Sequence, residues 1–234
     1  AGASRWMARH FVASLMANGE ISAGALLSLR DIGRFYFPLA LTSVLSMAMG
    51  PVVTFGLGRA RAPIESLAVW PVIGATAFLF RSGGVAFQEV GIALTGARRE
   101  NARLVRATGG WLGLAASLAL AALALTPLHE VWFQRISGLT PHLAEFAVWP
   151  VRILILLPLL EYVLAMQRAR WILTHRTGVI TVATAIEAAG TAIALVLTIG
   201  RLDLVGAVGG AIAMMAGRLA ANAYLFVASR GSGK

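Results

Sequence analysis

Cysteine is absent from the 234-residue chain, lysine occurs once (Lys234), and only 13% of the residues are charged. Without cysteine the chain can form neither a disulfide nor a thiolate metal site. An average soluble domain carries about 25% charged residues, and a chain with half that share could not cover a water-exposed surface. The scarcity of charge therefore excludes an ordinary soluble domain.

Apolar residues take the place of the missing charge. They make up 58% of the chain, and the mean hydropathy is +0.78. A helix needs about 20 apolar residues to cross a bilayer core, and six runs are about that long or longer: Phe35–Leu57, Leu67–Leu94, Ala107–Leu128, Phe146–Met166, Thr177–Ile199 and Leu204–Val227. The runs are continuous rather than alternating, which disfavours a barrel. The sequence predicts an all-α integral membrane protein, a bundle of six transmembrane helices.

The basic residues are unevenly divided between the two sides of the predicted membrane. Thirteen lie on one side: Arg5, Arg9, Arg30, Arg34, Arg98, Arg99, Arg103, Arg106, Arg168, Arg170, Arg176, Arg230 and Lys234. Four lie on the other: Arg59, Arg61, Arg135 and Arg201. The positive-inside rule then places both termini in the cytoplasm, and we expect a multi-pass protein of a bacterial-type inner (plasma) membrane. Because topology explains the net charge of +10, nucleic acid is not expected as a partner.

Three regions are predicted along the chain. Residues 1–33 are too charged to span a membrane, so we expect a cytoplasmic amphipathic helix or a linker from a preceding domain. A signal peptide is disfavoured, since no cleavage site follows a clean apolar core. Residues 34–230 form the transmembrane domain and residues 231–234 a cytoplasmic tail. The chain begins with Ala rather than Met, which favours a piece of a longer or processed polypeptide.

Charged side chains interrupt the apolar runs. Six stand out: Arg81, Arg152, Glu187 and Arg218 near the predicted midplane, and Glu89 and Glu161 nearer the cytoplasmic end. A charge at the bilayer centre costs roughly 2.5–3.5 kcal/mol when it faces lipid. We therefore expect these side chains to pair with one another or to line a water-filled cavity.

The midplane charges are three arginines against one glutamate, which favours a basic central cavity that binds an anion. The predicted substrate-binding residues are Arg81, Gln88, Arg152, Arg218 and Asn222, and the candidates for coupling or ion pairing are Glu89, Glu161 and Glu187. The alternative is a buried pair that only fixes helix register. Gly83 and Gly84 thin the helix beside Arg81, so a neighbouring backbone or a ligand can approach closely.

Catalysis is not predicted. The only aspartates, Asp31 and Asp203, are assigned to loops, and no paired acids, serine–histidine arrangement or zinc-ligand spacing is present. We therefore expect a non-enzyme with neither a metal nor a cofactor.

Several strings resemble a known superfamily. "FYFPLALTSVLSM" follows the charged "LRDIGR", and "LAVWPV" opens the next run. Together they resemble one half, the C-terminal half, of a MATE-like transporter of the multidrug/oligosaccharidyl-lipid/polysaccharide exporter superfamily. "VWPVRILILLPLLEYV" and "RARWILTHRTG" are most similar to the second half of the progressive ankylosis protein family. The resemblance covers roughly Leu27 to Phe226.

The resemblance implies twelve helices in two six-helix halves around a central cavity. It also implies export of anions such as citrate, ATP or pyrophosphate, and a partner that is either a missing N-terminal half or a second copy of this chain. One departure matters: cation-coupled members often carry a carboxylate in the opening helix of this half, and Phe35–Leu57 has none.

Three functions are therefore in view. The leading one is a half-transporter, an exporter or flippase that moves an anionic solute or a phosphate-bearing lipid-linked substrate, such as a polysaccharide precursor, by alternating access. The alternatives are a non-transporting membrane scaffold with neutralised ion pairs and a cation-coupled multidrug exporter. Midplane arginines disfavour the last, since they would repel a cationic substrate.

Overall fold

The computed structural model describes residues 29–97, 102–174 and 176–231. These residues are 91% helical and contain no β-strand, only an isolated bridge between Arg61 and Val205. The chain divides into two compact units, residues 1–37 and 38–234, and the packing described below is that of the second. Of the predicted N-terminal segment, only positions 29–33 are among the described residues, and they are helical. The predicted tail lies outside the described residues beyond position 231.

The described chain contains eight α-helices: α1 Leu29–Leu57, α2 Pro63–Ala97, α3 Ala102–Leu125, α4 Leu128–Glu130, α5 Pro141–Ile153, α6 Leu157–Leu173, α7 Thr177–Leu195 and α8 Gly206–Gly231. A π-helix at Val131–Ile136 follows α4, a 3-10 turn at Leu154–Leu156 joins α5 to α6, and a second π-helix at Val196–Arg201 extends α7.

Six helical segments of the described chain are long and apolar enough to cross a membrane: Ala40–Leu57, Pro63–Gly96, Ala102–Leu125, Pro141–Leu173, Thr177–Arg201 and Gly206–Arg230. The prediction of an all-α bundle with six membrane spans is confirmed by the number, length and apolar composition of these helices. The protein is a multi-pass integral membrane protein. Large apolar side chains such as Met47, Trp111 and Ile64 lie on the outside of the bundle. That position suits contact with acyl chains.

The end of the fourth span differs from the prediction. The sequence placed it at Met166 and assigned Arg168 to the following loop, but the helix continues to Leu173. That prediction was wrong because arginine was taken as the edge of the membrane. The structure gives Arg168 polar partners inside the bundle, so the helix has no reason to stop before it.

One end of the bundle has a predominantly apolar core. Fourteen buried side chains from α2, α3, α5, α6, α8, the first π-helix and the 3-10 turn form it: Val69, Ile73, Ala77, Leu120, Ala124, Phe133, Ala144, Ala147, Val148, Val151, Leu154, Leu157, Ala207 and Ala211. We call this end the apolar half. Phe133 is fully buried there, which ties the connection between the third and fourth spans to the core.

Helix α8 enters the apolar half along its glycines. An added Cβ at Gly206 would lie 2.8 Å from Ser66 Oγ, and one at Gly210 would lie 2.9 Å from the Trp70 ring. These glycines head the row Gly206, Gly210, Met214, Arg218 and Asn222, which steps along one helix face. Small residues let membrane helices approach closely, so the glycines of this row serve packing.

The fourth span is broken in the middle. Pro158 has no backbone N–H, and the 3-10 turn Leu154–Leu156 replaces a regular α-helical stretch just before it. The Leu159 N–H donates to the Ser117 hydroxyl at 3.0 Å, which satisfies one of the donors left open at the start of α6. The break is therefore held by a side chain of α3.

Candidate functional site: a buried arginine–glutamate network

Glu161, on α6, lies between arginines from two other helices. Its Oε2 accepts a hydrogen bond from Arg81 Nη1 of α2 at 2.9 Å. Arg218 of α8 places Nη2 at 3.3 Å from the same oxygen and Nη1 at 3.5 Å from Oε1. Only 7% of the Glu161 side chain is exposed. The contacts to guanidinium groups offset part of the large cost of removing the carboxylate from water.

Glu187, on α7, extends the contacts from Arg218 to a third arginine. Its Oε1 lies 3.1 Å from Arg218 Nη2, and its Oε2 lies 3.9 Å from Arg168 Nη2 on α6. Arg168 Nη2 also donates to the Thr184 hydroxyl at 3.4 Å. The five charged side chains form one line, Arg81–Glu161–Arg218–Glu187–Arg168, which we call the network. It links α2, α6, α7 and α8.

The network carries more positive than negative charge. It contains three guanidinium groups and two carboxylates, so one positive charge is formally in excess. Arg81 and Arg168 occupy its two ends and are each about one quarter exposed, while Arg218 between the carboxylates is 10% exposed. An anion could approach either end, because guanidinium groups bind phosphate or carboxylate in a planar fork.

Glycines allow the helices that carry the carboxylates of the network to lie close to their neighbours. An added Cβ at Gly84 of α2 would lie 2.9 Å from Glu161 Cγ, and one at Gly83 would collide with the Tyr162 hydroxyl. An added Cβ at Gly217 of α8 would lie 2.6 Å from the Glu187 carbonyl oxygen. The close approach predicted at Gly83 and Gly84 is therefore present, and side chains of α6 fill it.

Unpaired polar atoms surround the network. Five buried side-chain atoms of the described residues lack a hydrogen-bond partner: Gln167 Oε1, Arg168 Nε, Trp171 Nε1, Arg218 Nε and Asn222 Oδ1. Two of them are N–H donors on network arginines. Buried polar groups are nearly always bonded to protein or water, so these atoms leave hydrogen-bonding capacity for water or a ligand.

Asn222 lies one helical turn beyond Arg218 and is 7% exposed. Its Nδ2 donates to the Arg218 carbonyl at 2.9 Å and to the Leu160 carbonyl at 3.3 Å. The side chain thus bridges α8 to the start of α6, next to Glu161. Of the predicted site residues, the structure brings Asn222, Arg81, Arg218, Glu161 and Glu187 together.

Arg152 stands apart from the network. Its Nε donates to the Ala124 carbonyl in the last turn of α3 at 3.1 Å, and its guanidinium lies 5.1 Å from the Trp149 ring centroid. Arg152 therefore satisfies an open carbonyl at a helix end on the side of the apolar half. Gln88 is half-buried and Glu89 is exposed on α2, and neither contributes to the network.

Sequence reasoning missed Arg168 as a member of the network. One signal was available: Arg168 follows Glu161 by seven residues, which is two helical turns and places both on one face. Within the described residues, no group of three or more histidine, aspartate or glutamate side chains is close enough to hold a metal ion.

A cavity of about 730 Å³ lies between α2, α3, α6 and α8, at the ends of these helices that contain residues 91–96, 102–106, 163–174 and 225–229. Two of the residues with unpaired atoms, Gln167 and Trp171, line it. Gln167 also donates from Nε2 to the Asn222 carbonyl at 3.5 Å. The network and the cavity therefore meet at Gln167 and Asn222, and we call this end of the bundle the charged half.

Compared with protein-family models, curated proteins and solved structures, the chain matches none.

Proposed function

We propose that the chain is the transmembrane part of a transporter that moves an anionic solute, or a phosphate-bearing lipid-linked substrate, by alternating access. The observation that carries this proposal is the excess positive charge of the network. Three arginines against two glutamates is an expensive arrangement inside a membrane, and a bound anion would complete its charge balance.

The geometry around the network supports an exchangeable anion. Arg81 and Arg168 are the members at its ends, and each retains partial exposure. Buried N–H groups of Arg168 and Arg218 have no partner, so a ligand could gain hydrogen bonds without displacing Glu161 or Glu187. A cationic drug is a poorer substrate for this site, because the net charge would repel it.

The partner is part of the same proposal. Helix α1 is the least enclosed of the six spans, with 11% of its span buried. Glu89 is exposed within the second span, where contact with lipid would be costly. A second six-helix half or a second copy of this chain would cover such positions. The molecular mass of the protein in detergent distinguishes a monomer from a dimer.

The transport test uses the purified protein in liposomes loaded with phosphate, pyrophosphate or citrate. We expect Arg81→Gln and Arg168→Gln each to reduce anion flux about tenfold or more, because each leaves two cations against two carboxylates. Arg135→Gln, on an exposed connection, is the matched control and should retain flux. Wild-type flux in both network variants, with normal folding, would refute the anion role.

A second function is favoured by one observation: Glu161 is within 3.3 Å of guanidinium groups from both Arg81 and Arg218. Such pairing is also what a non-transporting scaffold would use to fix helix register. A double-mutant cycle of Arg81→Gln and Glu161→Gln separates the two functions. Strong coupling in stability, no anion flux in any liposome and no protection by anions would support the scaffold.

A further inference from the structure

The cavity of the charged half has the size and composition of a ligand site. Its volume of about 730 Å³ falls within the range of about 300–1,000 Å³ that is typical of small-molecule pockets. Val105, Met166, Leu173 and Leu225 contribute an apolar lining. Such a surface accepts a hydrocarbon chain and gives no reason to bind a fully hydrated ion.

Two arginines give the cavity a positive charge. Arg106 of α3 and Arg170 of α6 line it and are exposed, and no aspartate or glutamate is among the described residues that line it. Neither arginine has a carboxylate partner in the described part of the chain. Among the described residues, the cavity therefore has an apolar lining and two guanidinium groups without a carboxylate partner.

Two unpaired polar atoms add hydrogen-bonding capacity. Trp171 is 4% exposed, and its indole N–H is buried without an acceptor. The Gln167 side-chain oxygen is buried without a donor. Both residues belong to the wall of the cavity, so an unpaired donor and an unpaired acceptor lie next to the space that an occupant would fill. A headgroup with phosphate oxygens and a neighbouring hydroxyl would satisfy both.

We propose that this cavity binds an anionic phospholipid of the surrounding bilayer, with the phosphate at Arg106, Arg170 and the Trp171 N–H and an acyl chain against the apolar lining. Basic pockets between transmembrane helices are suited to anionic lipid headgroups, and tryptophan prefers the headgroup level. The cavity adjoins the network at Gln167, but none of the five charged residues of the network lines it, so the proposal does not depend on anion transport.

The test measures retained lipid by native mass spectrometry of the detergent-purified protein, after incubation with phosphatidylglycerol or phosphatidylcholine of the same chain length. We expect phosphatidylglycerol to be retained in preference. The variant Arg106→Gln/Arg170→Gln should lower its affinity about tenfold or more, because charge-assisted hydrogen bonds are lost. Trp171→Phe keeps an aromatic six-membered ring but removes the pyrrole ring with its N–H, and should lower affinity severalfold.

The matched control is Arg103→Gln/Arg176→Gln, which removes two exposed arginines from the same end of the bundle without altering the cavity lining. We expect it to retain wild-type affinity. Equal loss in the control and the Arg106/Arg170 variant would overturn the proposal in favour of diffuse attraction. Equal binding of phosphatidylcholine, or displacement of the lipid by millimolar inorganic phosphate or glycerol phosphate, would also overturn it. Because both arginines are exposed, their variant is expected to fold even if Trp171→Phe does not.

Discussion

The apolar half and the charged half share α2, α3, α6 and α8 but pack these helices through different side chains. In the apolar half, fourteen apolar side chains fill the space between helices. In the charged half, two carboxylates and three guanidinium groups lie between the helices in addition to smaller apolar clusters, such as the one formed by Leu164, Ala183 and Leu225. All five unpaired buried atoms of the described residues belong to the charged half. The comparison suggests that one half provides a stable framework and the other retains capacity for binding.

The largest loss in the free energy of unfolding should come from Glu161→Gln in the charged half. Removing this carboxylate leaves Arg81 without its partner and Arg218 with Glu187 alone, and we expect a loss of about 3 kcal/mol in the free energy of unfolding. Equilibrium unfolding in mixed micelles measures it. Glu145→Gln, on an exposed position of α5, is the control and should change little. An equal effect of the two substitutions would show that the network does not hold the charged half together.

Alanine substitutions at glycines sharpen the comparison. Gly217→Ala would place a methyl group 2.6 Å from the Glu187 backbone carbonyl oxygen, and we expect a loss of about 1–3 kcal/mol from overpacking. In the apolar half, Gly210→Ala brings its methyl group close to side-chain atoms of Trp70 and Leu57. Because side chains can shift more easily than backbone, this substitution should cost less stability. Gly110→Ala meets nothing within 4 Å and should be close to neutral. Thermal unfolding in detergent ranks the three, and any other order contradicts the assumed packing.

A small effect is expected from Ile73→Val in the apolar half. Ile73 is 1% exposed, so loss of one methylene should cost about 1 kcal/mol through the small cavity left behind. The loss should not depend on added salt, because no charge is involved. If Ile73→Val lowered the free energy of unfolding more than Glu161→Gln in the same micelles, the apolar half would be more sensitive to substitution than the charged half, which would contradict the comparison.

The sequence predicted the class and the six spans well, because long continuous apolar runs in a chain with so little charge are compatible with few structures besides a membrane bundle. It also selected four of the five network residues, since Arg81, Glu161, Glu187 and Arg218 are conspicuous inside apolar runs. Arg168 was missed because it follows an apolar run directly, where arginine usually marks a membrane boundary. Only the pairing with Glu187 on another helix shows that it belongs inside.

Other features depend on contacts between distant residues and could not be predicted. Counting residues along each run placed Arg152 near the midplane with Arg81 and Arg218, but the tertiary contacts place it beside the last turn of α3. Arg106 and Arg170 indicated only topology in the sequence. They line one cavity because α3 and α6 pack side by side, which no local pattern reveals.

The 3-10 turn at Leu154–Leu156 has a mechanical consequence. An unbroken rod from Pro141 to Leu173 would transmit any tilt from one membrane surface to the other. A break in the middle instead allows the segment Leu157–Leu173 to take an orientation that differs from that of Pro141–Ile153. Glu161 and Arg168 both lie on Leu157–Leu173, so a displacement of this segment would move two members of the network together and change their distances to Arg81, Arg218 and Glu187.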